Sequence, residues 1–258
     1  MTAWGGCGTA RRERPRAFTV AGAGCLAAMV AAQVLSGLQP RPVRLTSVVV
    51  VLLAASALAF AAGRHGPRRA VGALAATVAA GYAAEWIGVR TGVPFGRYSY
   101  TPVLQPQVGG VPLIVALAWG GMGLAAHAVA TAIVPGGGLA RIATGAAALT
   151  AWDLFLDPQM LRLGLWTWAD PGPYRGVPIS NLLGWLLVSA LVMALIDARL
   201  GRTDAVAAGL AVLYAVMAAM ETLAFAAVFD PPDRLVAAAG GIAMGTFLVL
   251  AGRRRWPR

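Results

Sequence analysis

Four acidic residues stand where acids are rare. Glu85, Asp153, Asp157 and Glu221 are read within long apolar runs, and a charge at the centre of a bilayer costs roughly 2.5–3.5 kcal/mol on insertion scales. Asp153 and Asp157 are four apart and share one helix face. Pro158 follows directly. It biases Asp157 away from helical geometry and leaves the Leu154 carbonyl without its usual donor. The sequence therefore predicts a helix break there, presenting carboxyls and a free carbonyl to a cavity. Clustered carboxyls in a low-dielectric site cannot all ionise, so at least one is expected to hold a proton near neutral pH. A neutral acid beside an ionised one is the arrangement for general acid–base work. Protonating a weakly basic carbon needs such an acid, shielded from water until substrate arrives. Plainer roles compete: Asp157 as a helix cap near Arg162, and Glu221 as the partner of an arginine.

Aromatic and amide side chains accompany the acids. Tyr98, Tyr100, Trp166 and Trp168 lie in polar, proline-rich connections. One reading is an interfacial aromatic belt. The other is a substrate mouth whose ring faces stabilise developing positive charge. Spacing of two in a non-helical segment points both members of a pair the same way, which favours the lining role. Trp86, Trp152 and Trp185 complete the expected substrate-binding set. Asn181, in the first turn of an apolar run, is expected either to orient a water or to make a helix-end hydrogen bond. His127 falls toward the opposite end of its run and is read as structural.

These residues recur in a pattern. Glu85, Gly96, Tyr98, Tyr100, Gly110-Val111-Pro112 and Trp119 are followed by Asp153, Gly164, Trp166, Trp168, Gly176-Val177-Pro178 and Trp185 at nearly the same spacing. Each copy is a helix–connection–helix unit. The two share one orientation, so the repeat is parallel rather than inverted. Two such hairpins bury their polar groups against each other, which predicts a shared cavity.

The elements that position them follow from composition. Of 258 residues, 59% are hydrophobic and only 12% charged, against about 25% charged in an ordinary soluble domain. A spanning helix needs roughly 20 apolar residues. Eight candidate spans are read at about 17–38, 45–63, 70–89, 111–134, 141–160, 177–198, 204–228 and 235–251. The last is short and glycine-rich, and seven is the alternative count. Backbone in hydrocarbon must satisfy its own hydrogen bonds, so these are helices. The expected fold is all-α: a polytopic membrane bundle, with a single transmembrane domain over 17–251 and repeat units at about 70–134 and 141–198. Basic tails flank it at 1–16, expected to be unstructured, and at 252–258.

The net charge of +11 does not point to nucleic acid. All 21 basic residues are arginine, set between the apolar runs rather than on one face. Fourteen fall in the termini and even-numbered connections and seven in the odd-numbered ones. The positive-inside rule then puts both termini in the cytoplasm of a cell-membrane protein, anchored by Arg11, Arg12, Arg14, Arg16 and Arg253, Arg254, Arg255. It also sets all four acids at similar depth, toward the long connections at 90–110 and 161–176. A cleaved signal peptide at 1–35 fits poorly because the apolar run exceeds an h-region. Cys7 and Cys25 suggest neither a disulfide nor a metal site. No Cys/His metal cluster, phosphate loop or dinucleotide motif is found, and Gly136-Gly137-Gly138 is a turn.

Several stretches carry a resemblance. Glu85-Trp86-Ile87-Gly88, Pro94-Phe95-Gly96-Arg97-Tyr98-Ser99-Tyr100, Trp152-Asp153-Leu154-Phe155-Leu156-Asp157-Pro158-Gln159-Met160, Gly164-Leu165-Trp166-Thr167-Trp168 and Tyr174-Arg175-Gly176-Val177-Pro178-Ile179-Ser180-Asn181-Leu182-Leu183-Gly184-Trp185 resemble the membrane carotenoid hydratase family. The Trp-Asp-x-x-x-Asp-Pro-x-Met block is the most specific, and the similarity is strong over about 80–190. The resemblance implies hydration of a terminal C=C bond in an acyclic carotenoid end group, giving a tertiary alcohol without a cofactor. It also implies carotenoid, membrane lipid and other carotenoid-pathway enzymes as partners. It supplies no catalytic residues; position and chemistry suggest Asp153 as acid and Glu85 as the group activating water, or the reverse, tuned by Asp157 and Glu221 and aided by Asn181. Rival readings are a membrane prenyltransferase holding Mg²⁺ on Asp153 and Asp157, a carotenoid cyclase that excludes water from the cation, and a proton-coupled transporter.

Overall fold

The computed structural model describes residues 7–38, 43–201 and 203–255. Among these, eight helices are long and apolar enough to cross a membrane. They are α1 (Cys7–Gly37), α2 (Val43–His65), α3 (Pro67–Thr91), α4 (Leu113–Ile133), α5 (Leu139–Arg162), α6 (Ile179–Leu200), α7 (Ala208–Leu223) and α8 (Arg234–Arg255). The protein is an all-α polytopic bundle, and among the described residues the count is eight rather than seven. A π-helical turn, Ala224–Val228, extends α7. The tail residues 1–6 and 256–258 lie outside the described residues. The stretch expected to be an unstructured tail is helical from Cys7 onward.

Helices α3 to α6 form a ring: α3 packs on α4 and α6, and α5 packs on the same two. Helices α2, α7 and α8 close over α4, which is why nearly every side chain of α4 is buried. Helix α6 has no such cover, and Leu183, Leu187 and Leu191 on it are exposed.

The two long connections are not merely irregular. Strand β1 (Tyr98–Tyr100) in the first pairs antiparallel with β4 (Trp166–Trp168) in the second, in the register Tyr98↔Trp168, Ser99↔Thr167, Tyr100↔Trp166. A small hairpin of β2 (Gln107–Val108) and β3 (Val111–Pro112) precedes α4. In the sequence pattern Tyr98 matches Trp166 and Tyr100 matches Trp168. The pairing therefore crosses a two-fold axis between Ser99 and Thr167, whose hydroxyl oxygens are 3.3 Å apart. Between the hairpins, the matched Trp119 and Trp185 stack with ring centres 4.0 Å apart and an interplanar angle of 16°.

The repeated small residues have a backbone reason. Gly96 and Gly164 have φ of 111° and 65°, and Gly110 and Gly176 have 85° and 89°, a region that side chains with a Cβ rarely enter. The matched Pro112 and Pro178 cap α4 and α6.

One expectation is overturned. Helix α5 does not break at Pro158 but runs through it to Arg162. The Leu154 carbonyl, deprived of its amide donor, accepts the Tyr174 hydroxyl at 2.8 Å. Burial, and then the charge of Asp233, push that hydroxyl up to about 12, so it stays a donor. A side chain from the second connection thus completes the hydrogen bond that proline removes. The carbonyl is not free for a ligand.

A fifth acid, Asp197, also lies inside a span, near the end of α6 opposite the long connections. It is 2.6 Å from His127 Nε2 and 3.7 Å from Arg141 Nη1. Arg141 also donates to the Val134 and Thr203 carbonyls and pairs with Asp204. Every charge in this group faces a partner, as a buried ionic group requires.

Candidate active site

Helix α3 presents Glu85 near its end toward the long connections, and β1 folds back beneath it. Alternation along the strand sends Tyr98 and Tyr100 the same way. Their hydroxyls donate to Glu85 Oε2 at 2.5 and 2.8 Å, and Trp119 Nε1 donates to Oε1 at 3.0 Å. Burial first, and then the Glu85 carboxyl, push both tyrosine hydroxyls above their ordinary range, which keeps them donors. The two tyrosines thus hold an acid rather than standing open as a mouth.

The carboxyls of α5 are held from α6. Asn181 Nδ2 donates to Asp153 Oδ2 at 2.9 Å and also to Asp157 Oδ2. Asn181 is therefore a clamp across the pair, more than the helix-end bond or water-orienting amide expected of it. Asp153 Oδ1 is buried with no hydrogen-bond partner among the described residues. Asp157 is buried and faces Asn181, not Arg162. Arg162 donates to the Pro231 carbonyl and lies over the Phe229 ring. Between the two groups, Glu85, Asp157, Asn181 and Trp166 border a space of only about 10 Å³, about enough for one water.

A much larger cavity lies behind Trp166, which lines both spaces. It measures about 580 Å³ and is walled by α1, α2, α4, α5 and α7, within the range of small-molecule sites. Trp152, Ala118, Leu156 and Met217 supply apolar wall, and Gln159, Arg162 and Asp230 also border it. Glu221 lines it while being only 7% exposed. Glu221 Oε2 has no partner among the described residues, and no arginine among them pairs with it.

The remaining aromatics divide. Trp168 packs on Tyr98 with centres 5.1 Å apart, and Trp185 lies between Trp119 and Trp152. Trp86 does not join the cluster. It is 40% exposed, with the Arg90 guanidinium 3.9 Å over its ring. Three contributors were not expected at the site. Trp119 was visible in the repeat, where its match with Trp185 was the signal. Nothing local in the sequence singles out Phe95, wedged against Gly88 and Gly184, or Tyr174.

A bisanhydrobacterioruberin hydratase of Haloarcula japonica is 33% identical over 134 residues, covering 50% of this chain and 45% of the relative. The match thus spans about half the length of that curated relative. No solved structure matches the chain. The family model described as carotenoid biosynthesis protein matches residues 46–249, most of the chain, and the protein therefore belongs to that family.

Proposed function

We propose that the protein adds water to the terminal C=C bond of an acyclic carotenoid end group, giving a tertiary alcohol by acid catalysis, with the end group seated in the 580 Å³ cavity. The observation that carries this reading is an apolar cavity with a buried, unpartnered carboxyl on its wall. A hydrocarbon substrate needs apolar walls. Protonating an alkene needs an acid inside them, aimed where charge develops. The Trp152 and Trp166 rings border the same space and suit a tertiary cation, which ring faces attract. The name of the Haloarcula japonica relative supports hydration as the outcome.

Trp166 lines both the cavity that Glu221 borders and the small space bordered by Glu85, Asp157 and Asn181. Against the prenyltransferase reading, Asp153 and Asp157 turn onto Asn181 beside a space far too small for a diphosphate. The first described turn of α1 and the last of α8 fall on the face opposite the long connections, and the arginine distribution supports that face as cytoplasmic.

The test is expression in cells that accumulate an acyclic carotenoid, with mass analysis of the pigments. Hydration yields products heavier by one water, whereas cyclisation leaves the mass unchanged. Ala118→Trp, which fills the cavity wall, is expected to abolish the new pigment while the protein still accumulates in the membrane. Full conversion by that variant would remove the cavity from the reaction.

A further inference from the structure

We propose that Glu221 alone both gives the proton to the alkene and takes one back from the attacking water, so that hydrogen and hydroxyl add to the same face of the double bond. This rests on the hydratase reading above.

Among the described residues, three side chains with charge-bearing groups border the cavity: Arg162, Glu221 and Asp230. Arg162 is engaged by the Pro231 carbonyl and the Phe229 ring. Asp230 is exposed in the loop after the π-helical turn. That leaves Glu221 as the one buried carboxyl on the wall. No donor or cation among the described residues meets it, and a carboxyl so placed is cheaper to bury with its proton than without it. The other buried carboxyls of the site lie off this cavity. Glu85 accepts three hydrogen bonds and Asp157 accepts from Asn181, and the space these two border holds no end group. Asp153 accepts from the same amide through Oδ2 and leaves Oδ1 without a partner among the described residues, but it borders neither space.

With one carboxyl present, the steps close on it. The Glu221 O–H bond breaks as its proton forms a C–H bond at the less substituted alkene carbon, using the π electrons of the C=C bond. The positive charge lands on the tertiary carbon, between the Trp152 and Trp166 walls. Water forms the C–O bond with a lone pair, and its proton returns to the Glu221 carboxylate. One water is consumed, the acid is regenerated, and nothing is oxidised or reduced. Because the carboxylate stays on one side of the planar cation, the water it deprotonates attacks from that side.

Two measurements decide it. Glu221→Gln, which keeps the side-chain shape, is expected to lower hydrated product at least about 100-fold, the scale of a lost general acid. The purified variant should still retain bound pigment, which shows that the cavity is folded. Glu221→Asp should recover part of the activity. Wild-type turnover in heavy water, on substrate with one terminal methyl labelled, should place deuterium on the same face as the new hydroxyl. A Glu221→Gln variant that binds pigment and hydrates within about tenfold of wild type, or addition to opposite faces, overturns the proposal. So does a larger loss from Asp153→Asn or Glu85→Gln than from Glu221→Gln. A wild-type protein that hydrates no acyclic carotenoid in these cells overturns the parent reading as well.

Discussion

The two hairpins share a backbone and fill it differently. In the first, Phe95 is wedged between Gly88 of α3 and Gly184 of α6, where an added Cβ would fall 2.8 Å from its ring on either side. In the second, the matched positions are Leu163, Leu156 and Ala118, and all three line the 580 Å³ cavity. One groove is plugged and the other is roofed by α1, α2 and α7. Duplication supplies two equivalent grooves, and side-chain volume together with helix cover decides which one stays open. The acids follow the same division. The plugged side surrounds Glu85 with three donors, whereas the open side ends on an unpartnered Glu221.

The largest expected effect comes from removing the plug. Phe95→Ala should cost roughly 3–5 kcal/mol, the scale for emptying an aromatic site, read as the thermal midpoint in detergent. A loss near that of a surface substitution would mean that Phe95 is not what closes the first groove. Next, Asn181→Leu strips both aspartates of their shared donor and should cost roughly 2–3 kcal/mol; an unchanged midpoint would show that the clamp carries no stability. Tyr100→Phe removes one of three donors to Glu85 and should cost about 1.5 kcal/mol, less than the loss of Asn181 because Tyr98 and Trp119 remain. An equal or larger loss would reverse the ranking of the two halves.

The smallest effect concerns the loop that borders the open side. Partial burial works against the Asp233 charge, but its hydrogen bond to Arg175, two backbone amides and the Arg175 charge hold the carboxyl below the usual range. A depressed folded value means that the bridge stabilises above the ordinary carboxylate pKa and is lost as pH falls through the folded value. With Arg175 about half exposed, the contribution should stay below about 1 kcal/mol. Acid titration of stability should lose this component in Asp233→Asn; an identical acid profile would show that the bridge adds nothing.

The spans were legible because lipid demands long apolar runs, and hydropathy reports those directly. The repeat was legible because Gly96, Gly164, Gly110 and Gly176 occupy backbone conformations that few other residues tolerate. The fate of Pro158 was not legible. Whether proline breaks a helix depends on whether another donor reaches the orphaned carbonyl, and Tyr174 arrives from twenty residues away. Asn181 was visible as polar, but its two partners depend on how α5 and α6 face each other. The cavity was hidden for a similar reason. Its cover comes from α1, α2 and α7, whose apolar sequences look alike whether they face lipid or an enclosed space. Glu221 was visible as an acid in a span, and only the fold sets it apart from the other three.

The strap between β1 and β4 carries one more consequence. Its register matches each residue with the counterpart of its own pair member, so Tyr98 meets Trp168 while Tyr100 meets Trp166. That is an isologous contact, the kind two identical subunits make across a dyad. A homodimer of such hairpins would place its strap and its stacked tryptophan on the dyad. In such a homodimer every substitution appears twice. Joined in one chain, each half varies alone, which is the condition for one groove to hold Phe95 while its twin stays open.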